Sequence, residues 1–202
     1  MRQDTAFAPG QAVSQHIVGR WLASLFDAVI TVDPHLHRVS TLAQAVPAGQ
    51  AIALSAAPLL GDWIARHRPG AFLLGPDSES AQWVTQAASA HGFEHAVCTK
   101  RRLGDREVEV ALPACALRGK AVVILDDVAS SGHTLATAAA LALAAGAASV
   151  DVAVTHALLA GDALQHIHQA GVGEFWSTDA IAHASNVVPL APLLAQGLKS
   201  LA

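Results

Sequence analysis

Ala121-Val-Val-Ile-Leu125 is apolar at every position and runs directly into Asp126-Asp127. A short run of this kind is a strand buried on both faces of a sheet, since a strand with one solvated face would alternate apolar and polar residues. Similar runs recur along the chain. They are Asp27 to Asp33, closed by Pro34; Ala71 to Leu74, followed by Gly75-Pro76-Asp77; Glu94 to Cys98; Val150 to Val154; and Phe175 to Ser177. Between them lie segments of helical period: Val13 to Leu25, Leu59 to His67, Ser80 to His91 with Trp83, Val84, Ala87 and Ala88 inward, and Thr134 to Ala145, ending at Gly146. A last helix, Leu190 to Leu201, is expected to bury Leu190, Leu193, Leu194 and Leu198. Buried strands alternating with helices predict an α/β fold with a mostly parallel sheet flanked by helices.

Composition narrows the function. Charged residues make up 14% of the 202 positions, against the roughly 25% usual for soluble domains, so part of the surface is expected to be covered by another subunit. A net charge of −4 argues against a general nucleic-acid binder, which needs a basic face for phosphates. No apolar run reaches the ~18–20 residues of a membrane helix, and Met1-Arg2-Gln3-Asp4 has no apolar signal-peptide centre. Cys98 and Cys115 are the two cysteines and lack metal spacing. The expectation is a cytoplasmic protein that binds neither nucleic acid nor membrane.

In parallel sheets ligands sit beyond the carboxyl ends of the strands. Four segments stand there: Asp33-Pro34-His35, Gly75-Pro76-Asp77, Lys100-Arg101-Arg102, and the loop after Leu125. The last, Asp126-Asp127-Val128-Ala129-Ser130-Ser131-Gly132-His133-Thr134, carries the strongest signal. Backbone N–H groups at a loop that opens into a helix form an anion site, and the hydroxyls add donors. Gly132 lets the backbone approach a phosphate closely. Two acids beside such a cradle would repel the phosphate unless they met ribose hydroxyls or a Mg²⁺ ion. The residues thus describe a sugar-phosphate site.

This loop resembles the phosphoribosyl diphosphate (PRPP) motif of type I phosphoribosyltransferases and ribose-phosphate diphosphokinases. The resemblance implies that Asp126 and Asp127 bind the ribose 2- and 3-hydroxyls while Ser130, Ser131, Gly132, His133 and Thr134 hold the 5-phosphate. Six further segments, in order, are similar to the diphosphokinase (PRPP synthetase) branch. Arg2-Gln3-Asp4 looks like its ATP-contacting segment. Thr31-Val32-Asp33-Pro34-His35 resembles the segment whose His binds the Mg²⁺ of Mg-ATP. Gly75-Pro76-Asp77 resembles the one whose acid lies at a metal and ribose-phosphate site. Lys100-Arg101-Arg102 resembles the start of the catalytic loop, with Lys100 and Arg102 as its catalytic cations. Thr155 to Gly161 and Pro189 to Ala195 match two more segments.

What the resemblance implies is a type I phosphoribosyltransferase-like fold, with residues 1–50 as the remnant of a first such domain and 51–202 as the second, including the C-terminal helix. It also implies transfer of diphosphate from ATP to ribose 5-phosphate, Mg²⁺ held by His35 and Asp77, and a homo-oligomer. Three departures accompany it. Ser130 stands where many relatives have a third acid, Glu79-Ser80-Ala81-Gln82-Trp83 replaces a Gly-Gly-x-Lys-Arg segment, and Met1 stands where the resemblance would place a first half-domain. The chain alone is therefore expected to make little PRPP. Two other readings follow, a non-catalytic ribose-phosphate-binding or regulatory homologue and a phosphoribosyltransferase that uses PRPP. His156 and His183 are expected to pack or cap, and Trp21, Trp63 and Trp83 to lie in core or interface.

Overall fold

The structure is a computed structural model that describes residues 5–6, 8–36, 39–102 and 108–201. Its elements in chain order are α1 (Ser14–Leu25), β1 (Ala28–Val32), α2 (Leu42–Ala45), β2 (Gln50–Leu54), α3 (Ala57–His67), β3 (Phe72–Gly75), α4 (Ala81–Ser89), β4 (His95–Val97), β5 (Thr99–Arg102), β6 (Val108–Ala111), β7 (Ala121–Ala129), α5 (His133–Ala144), β8 (Ser149–Ala157), α6 (Ala163–Gln169), β9 (Phe175–Thr178), β10 (Asn186–Val188) and α7 (Ala191–Lys199). A 3₁₀ turn, Ser78–Ser80, precedes α4.

Two compact units divide the chain. One is Ala56–Pro189; the other comprises the residues up to Ser55 and those from Leu190 onward. The sequence reading placed the boundary at residue 50 and gave the C-terminal helix to the second domain. In the structure α7 instead lies on the parallel pair β1–β2. A Cβ at Gly197 would sit 2.8 Å from Leu54 Cδ1 and 3.5 Å from Ile30, so the glycine faces the pair. Leu194 and Leu198 turn outward at 37% and 62% exposure, which corrects the expectation that they are buried.

The first helix shows the same inversion. α1 buries Gln15 and Gly19 because Gly19 lies directly against the backbone of Ala45 on α2, where no side chain would fit. Ile17, Trp21, Leu25 and Phe26 are consequently half or more exposed.

The larger unit holds a parallel sheet of order β10-β9-β8-β7-β3-β4. Alternate residues of its strands feed two cores, as the two-residue period of a strand requires. Phe72, Leu74, Val122, Ile124, Val150 and Val152 pack with Leu135, Ala138, Ala139 and Ala142 of α5 and Ile167 of α6. Leu73, Val123, Leu125 and Ala153 pack with Leu60 and Ile64 of α3 and Trp83, Val84, Ala87 and Ala88 of α4. The predicted α/β architecture, mostly parallel and helix-flanked on both faces, is thereby observed. Three strands, β2, β5 and β10, and the helices α2 and α6 were not anticipated.

Candidate functional site

The site is built where β3 stops short of its neighbour. Leu74 pairs with Ile124, so Gly75, the last residue of β3, lies level with Leu125. The strand after Leu125 was expected to give way to a loop. Instead β7 continues, paired with β8 from Asp126–Val154 to Ala129–Ala157, and both acids occupy strand positions. Gly75 can only be glycine here: a Cβ would lie 2.6 Å from Val97 Cγ1 and run into Ser80 Oγ. The chain then leaves the sheet through Pro76 to Asp77. The carboxylate of Asp77 caps the 3₁₀ turn, accepting from the Glu79 N–H at 3.0 Å, while Ser80 Oγ donates to the Asp77 carbonyl at 2.6 Å.

This register gathers three acids. Asp127 is 1% exposed and its N–H donates to Asp126 Oδ1 at 3.0 Å. The Asp126 carboxyl is held well above the usual carboxylate range, chiefly by burial and then by the negative charges of Asp127 and Asp77, which outweigh that hydrogen bond. A buried carboxyl held up in this way beside other acids is common where a ligand supplies the missing donors or positive charge.

The cradle lies three residues on. Gly132 is the left-handed residue before α5, at φ 77°. A Cβ there would be 2.8 Å from the carbonyl oxygen of Ala163 and 3.1 Å from Ile167, so α6 abuts the loop backbone. The first bond into α5 runs from the Ala136 N–H to the Gly132 carbonyl at 2.8 Å. The N–H groups of His133, Thr134 and Leu135 therefore have no intrahelical acceptor, and the helix start has no side-chain cap. On the other flank the Leu159 N–H donates to Ala129 O at 2.9 Å and the Ala160 N–H to Ser130 O at 3.0 Å. The loop is thus braced by the segment joining β8 to α6.

Asp77, Asp126, Asp127 and the residues from Ser130 to Thr134 accordingly belong to one unit. Lys100 and Arg102 stand on β5, which pairs antiparallel with β6 up to Arg102–Val108; their side chains lie outside the described set. His35 follows buried Asp33, whose φ is 41°, in the smaller unit. Arg2, Gln3 and Asp4 lie outside the described residues. His183 caps a turn, as expected: its Nδ1 lies 2.7 Å from Ser185 Oγ and accepts from the Ser185 N–H at 3.1 Å. Trp83 is core, at 5% exposure.

Among the described residues no group of three or more His, Cys, Asp or Glu is arranged to hold a metal. Mg²⁺ does not require one, because it keeps waters and is bound by one or two carboxylates together with substrate phosphates. Hard carboxylate oxygens, with Asp126 held up by burial and by the charges of Asp127 and Asp77, fit that ion. One neighbour of the cradle was not foreseen from the sequence. His166 of α6 stacks on His133, with ring centroids 5.6 Å apart and planes at 22°. Nothing in the sequence couples positions so far apart; only the packing of α6 on α5 does.

Comparison with known proteins bears on the whole chain. The phosphoribosyl transferase domain family matches residues 39–172. Ribose-phosphate pyrophosphokinase 2 of Archaeoglobus fulgidus is 34% identical over 197 residues, covering 98% of this chain and 70% of the relative. The ribose-phosphate pyrophosphokinase of Methanopyrus kandleri is 34% identical over 203 residues, covering 99% and 68%. The crystal structure of phosphoribosylpyrophosphate synthetase from Mycobacterium smegmatis superimposes with a TM-score of 0.79 at 24% identity, over 99% of this chain and 67% of that one, a likeness of fold.

Proposed function

The chain belongs to the ribose-phosphate pyrophosphokinase family of transferases, and from that premise we propose that it transfers diphosphate from ATP to ribose 5-phosphate, giving PRPP and AMP, as a cytoplasmic homo-oligomer. The observation that carries the reading is the placement of Asp126 and Asp127 on the overhanging end of β7, directly before a helix start with uncapped N–H groups.

In the proposed reaction the anomeric hydroxyl oxygen attacks the β-phosphorus of ATP. The bond from that phosphorus to the oxygen bridging it to the α-phosphorus breaks, AMP leaves, and the hydroxyl proton is lost. Little covalent chemistry falls to the protein, which positions the reactants and stabilises charge. Ser130, Ser131, Gly132, His133 and Thr134 hold the 5-phosphate with backbone and hydroxyl donors. Asp126 and Asp127 accept from the ring hydroxyls. Lys100 and Arg102 neutralise the β-phosphate, Arg102 offering a planar fork to its oxygens. Arg2, Gln3 and Asp4 contact ATP. Asp77 in one unit and His35 in the other are each assigned to Mg²⁺, which when bound neutralises the triphosphate charge.

Calorimetric titration with ribose 5-phosphate tests the site. The wild type should bind, and Asp127→Ala should lose roughly tenfold or more, the usual cost of removing a charged hydrogen-bond partner. Equal affinities would overturn the assignment. One observation favours a second reading, ribose-phosphate binding without turnover: Gln82-Trp83 stands in place of two basic residues, and Trp83 serves the core. AMP release in the presence of ATP, ribose 5-phosphate and Mg²⁺ separates the two.

A further inference from the structure

The start of α5 is weakly held by its own sequence. Its N-cap is a glycine at positive φ, no side chain caps it, and the N–H groups of its first three residues have no acceptor within the helix. A cradle that binds a phosphate through those groups must nevertheless keep them in one orientation, since misplacement of a binding group lowers affinity.

The neighbouring helix supplies the restraint. α6 is anchored by Ala163 and Ile167, which are 1% and 0% exposed, and Ile167 belongs to the same core as Leu135 and Ala138 of α5. Its backbone meets the cradle at Gly132, where the Ala163 carbonyl leaves no room for a Cβ. One turn further along α6, His166 stacks on His133 at 5.6 Å and 22°, and His133 is the first residue of α5.

We propose that His166 is a positioning residue for the ribose-phosphate site: through its ring stack on His133 it fixes the first turn of the cradle helix, without itself touching the ligand. The inference rests on the reading of Asp126 to Thr134 as the ribose 5-phosphate site. It assigns to α6 a part in binding that the sequence motif does not contain. Because the work is done by a ring face, an aromatic hydrocarbon should serve as well as an imidazole.

The test is calorimetric titration of the full chain with ribose 5-phosphate. It compares wild type, His166→Ala, His166→Phe, His133→Ala and the double variant His133→Ala/His166→Ala, with thermal melts confirming that each is folded. His166→Ala should weaken binding roughly two- to tenfold, the range expected for losing one aromatic pair. His166→Phe should bind within about twofold of wild type. In the His133→Ala background, His166→Ala should add no further loss, because the two rings act as one unit. Wild-type affinity in His166→Ala overturns the proposal. So does a His166→Phe variant as weak as His166→Ala, which would mean that the imidazole acts through its polar edge. So do additive losses in the double variant. A wild type that does not bind ribose 5-phosphate overturns the site reading itself, and this inference with it.

Discussion

Arg68 at the end of α3 donates through Nε to Oδ2 of Asp151 on β8 at 2.6 Å. The carboxylate is 2% exposed, and its other oxygen accepts from the Glu174 N–H at 2.8 Å. The guanidinium also lies over the Trp176 ring, 5.2 Å from its centroid. Removing the cation leaves a buried carboxylate with half its partners. Arg68→Ala should therefore destabilise the protein by about 2–3 kcal/mol, below the range for fully buried pairs because Arg68 is one-third exposed. Arg68→Lys should recover less than half of that, since an ammonium reproduces neither the Nε–H geometry nor the flat contact with Trp176. Urea denaturation of the three proteins measures both.

Asp126 gives a pH signature of opposite sense to that of most surface acids. An acid whose pKa is raised on folding holds its proton more tightly in the folded than in the unfolded state. Stability therefore falls as pH rises from the ordinary carboxylate range through the raised value. Asp126→Asn removes that dependence. The variant should gain stability relative to wild type as pH rises from 4 towards neutrality, while losing affinity for ribose 5-phosphate. Denaturation midpoints across that range, taken without ligand, check the first part. A constant difference between the two proteins would contradict it.

Two glycines at positive φ separate strain from steric conflict. Gly132→Ala meets both the left-handed backbone and the Ala163 carbonyl at 2.8 Å; Gly161→Ala meets only the backbone, with open space around its Cβ. The first should cost roughly 2–3 kcal/mol and weaken ribose 5-phosphate binding by about tenfold or more; the second should cost roughly 1 kcal/mol and leave binding intact. Thermal melts together with titrations distinguish them.

The exposed stripe Ile17, Trp21, Leu25 and Phe26 bears on the proposed homo-oligomer. Contiguous apolar surface of this kind drives association. Light scattering at micromolar concentration should show a dimer or larger species, and Trp21→Glu should shift it towards monomer by an order of magnitude or more in concentration. A monomeric wild type would contradict the expectation.

Much of this architecture was legible because fully buried strands and an acid pair ahead of a Ser/Gly/Thr loop are local patterns. What was not legible depends on which side of an element is covered. Periodicity identified α1 and α7 as helices, yet in both the face packed inward carries a glycine, Gly19 or Gly197, that brings backbones together, and large apolar residues point away. A hydrophobicity pattern cannot report that choice. β2, with two alanines in five residues, and the three-residue β10 are too short or too plain to stand out. The acids of β7 resembled a loop because a charged pair is unusual inside a strand; only the early end of β3 makes room for them. The stacking of His166 on His133 depends entirely on tertiary packing.

That early end has a further consequence for how the acid pair behaves in time. Beyond Leu125, β7 is paired on one side only, and the Asp127 amide is satisfied by the carboxylate next to it. That hydrogen bond is to a side chain, so a rotation of Asp126 can break it without opening the β7–β8 ladder. Protection from exchange should accordingly step down between Val123, held among interior strands, and Asp127, four residues later on the same strand. The strand that anchors the core thus ends in a segment held by one neighbouring strand where the remainder is held by two.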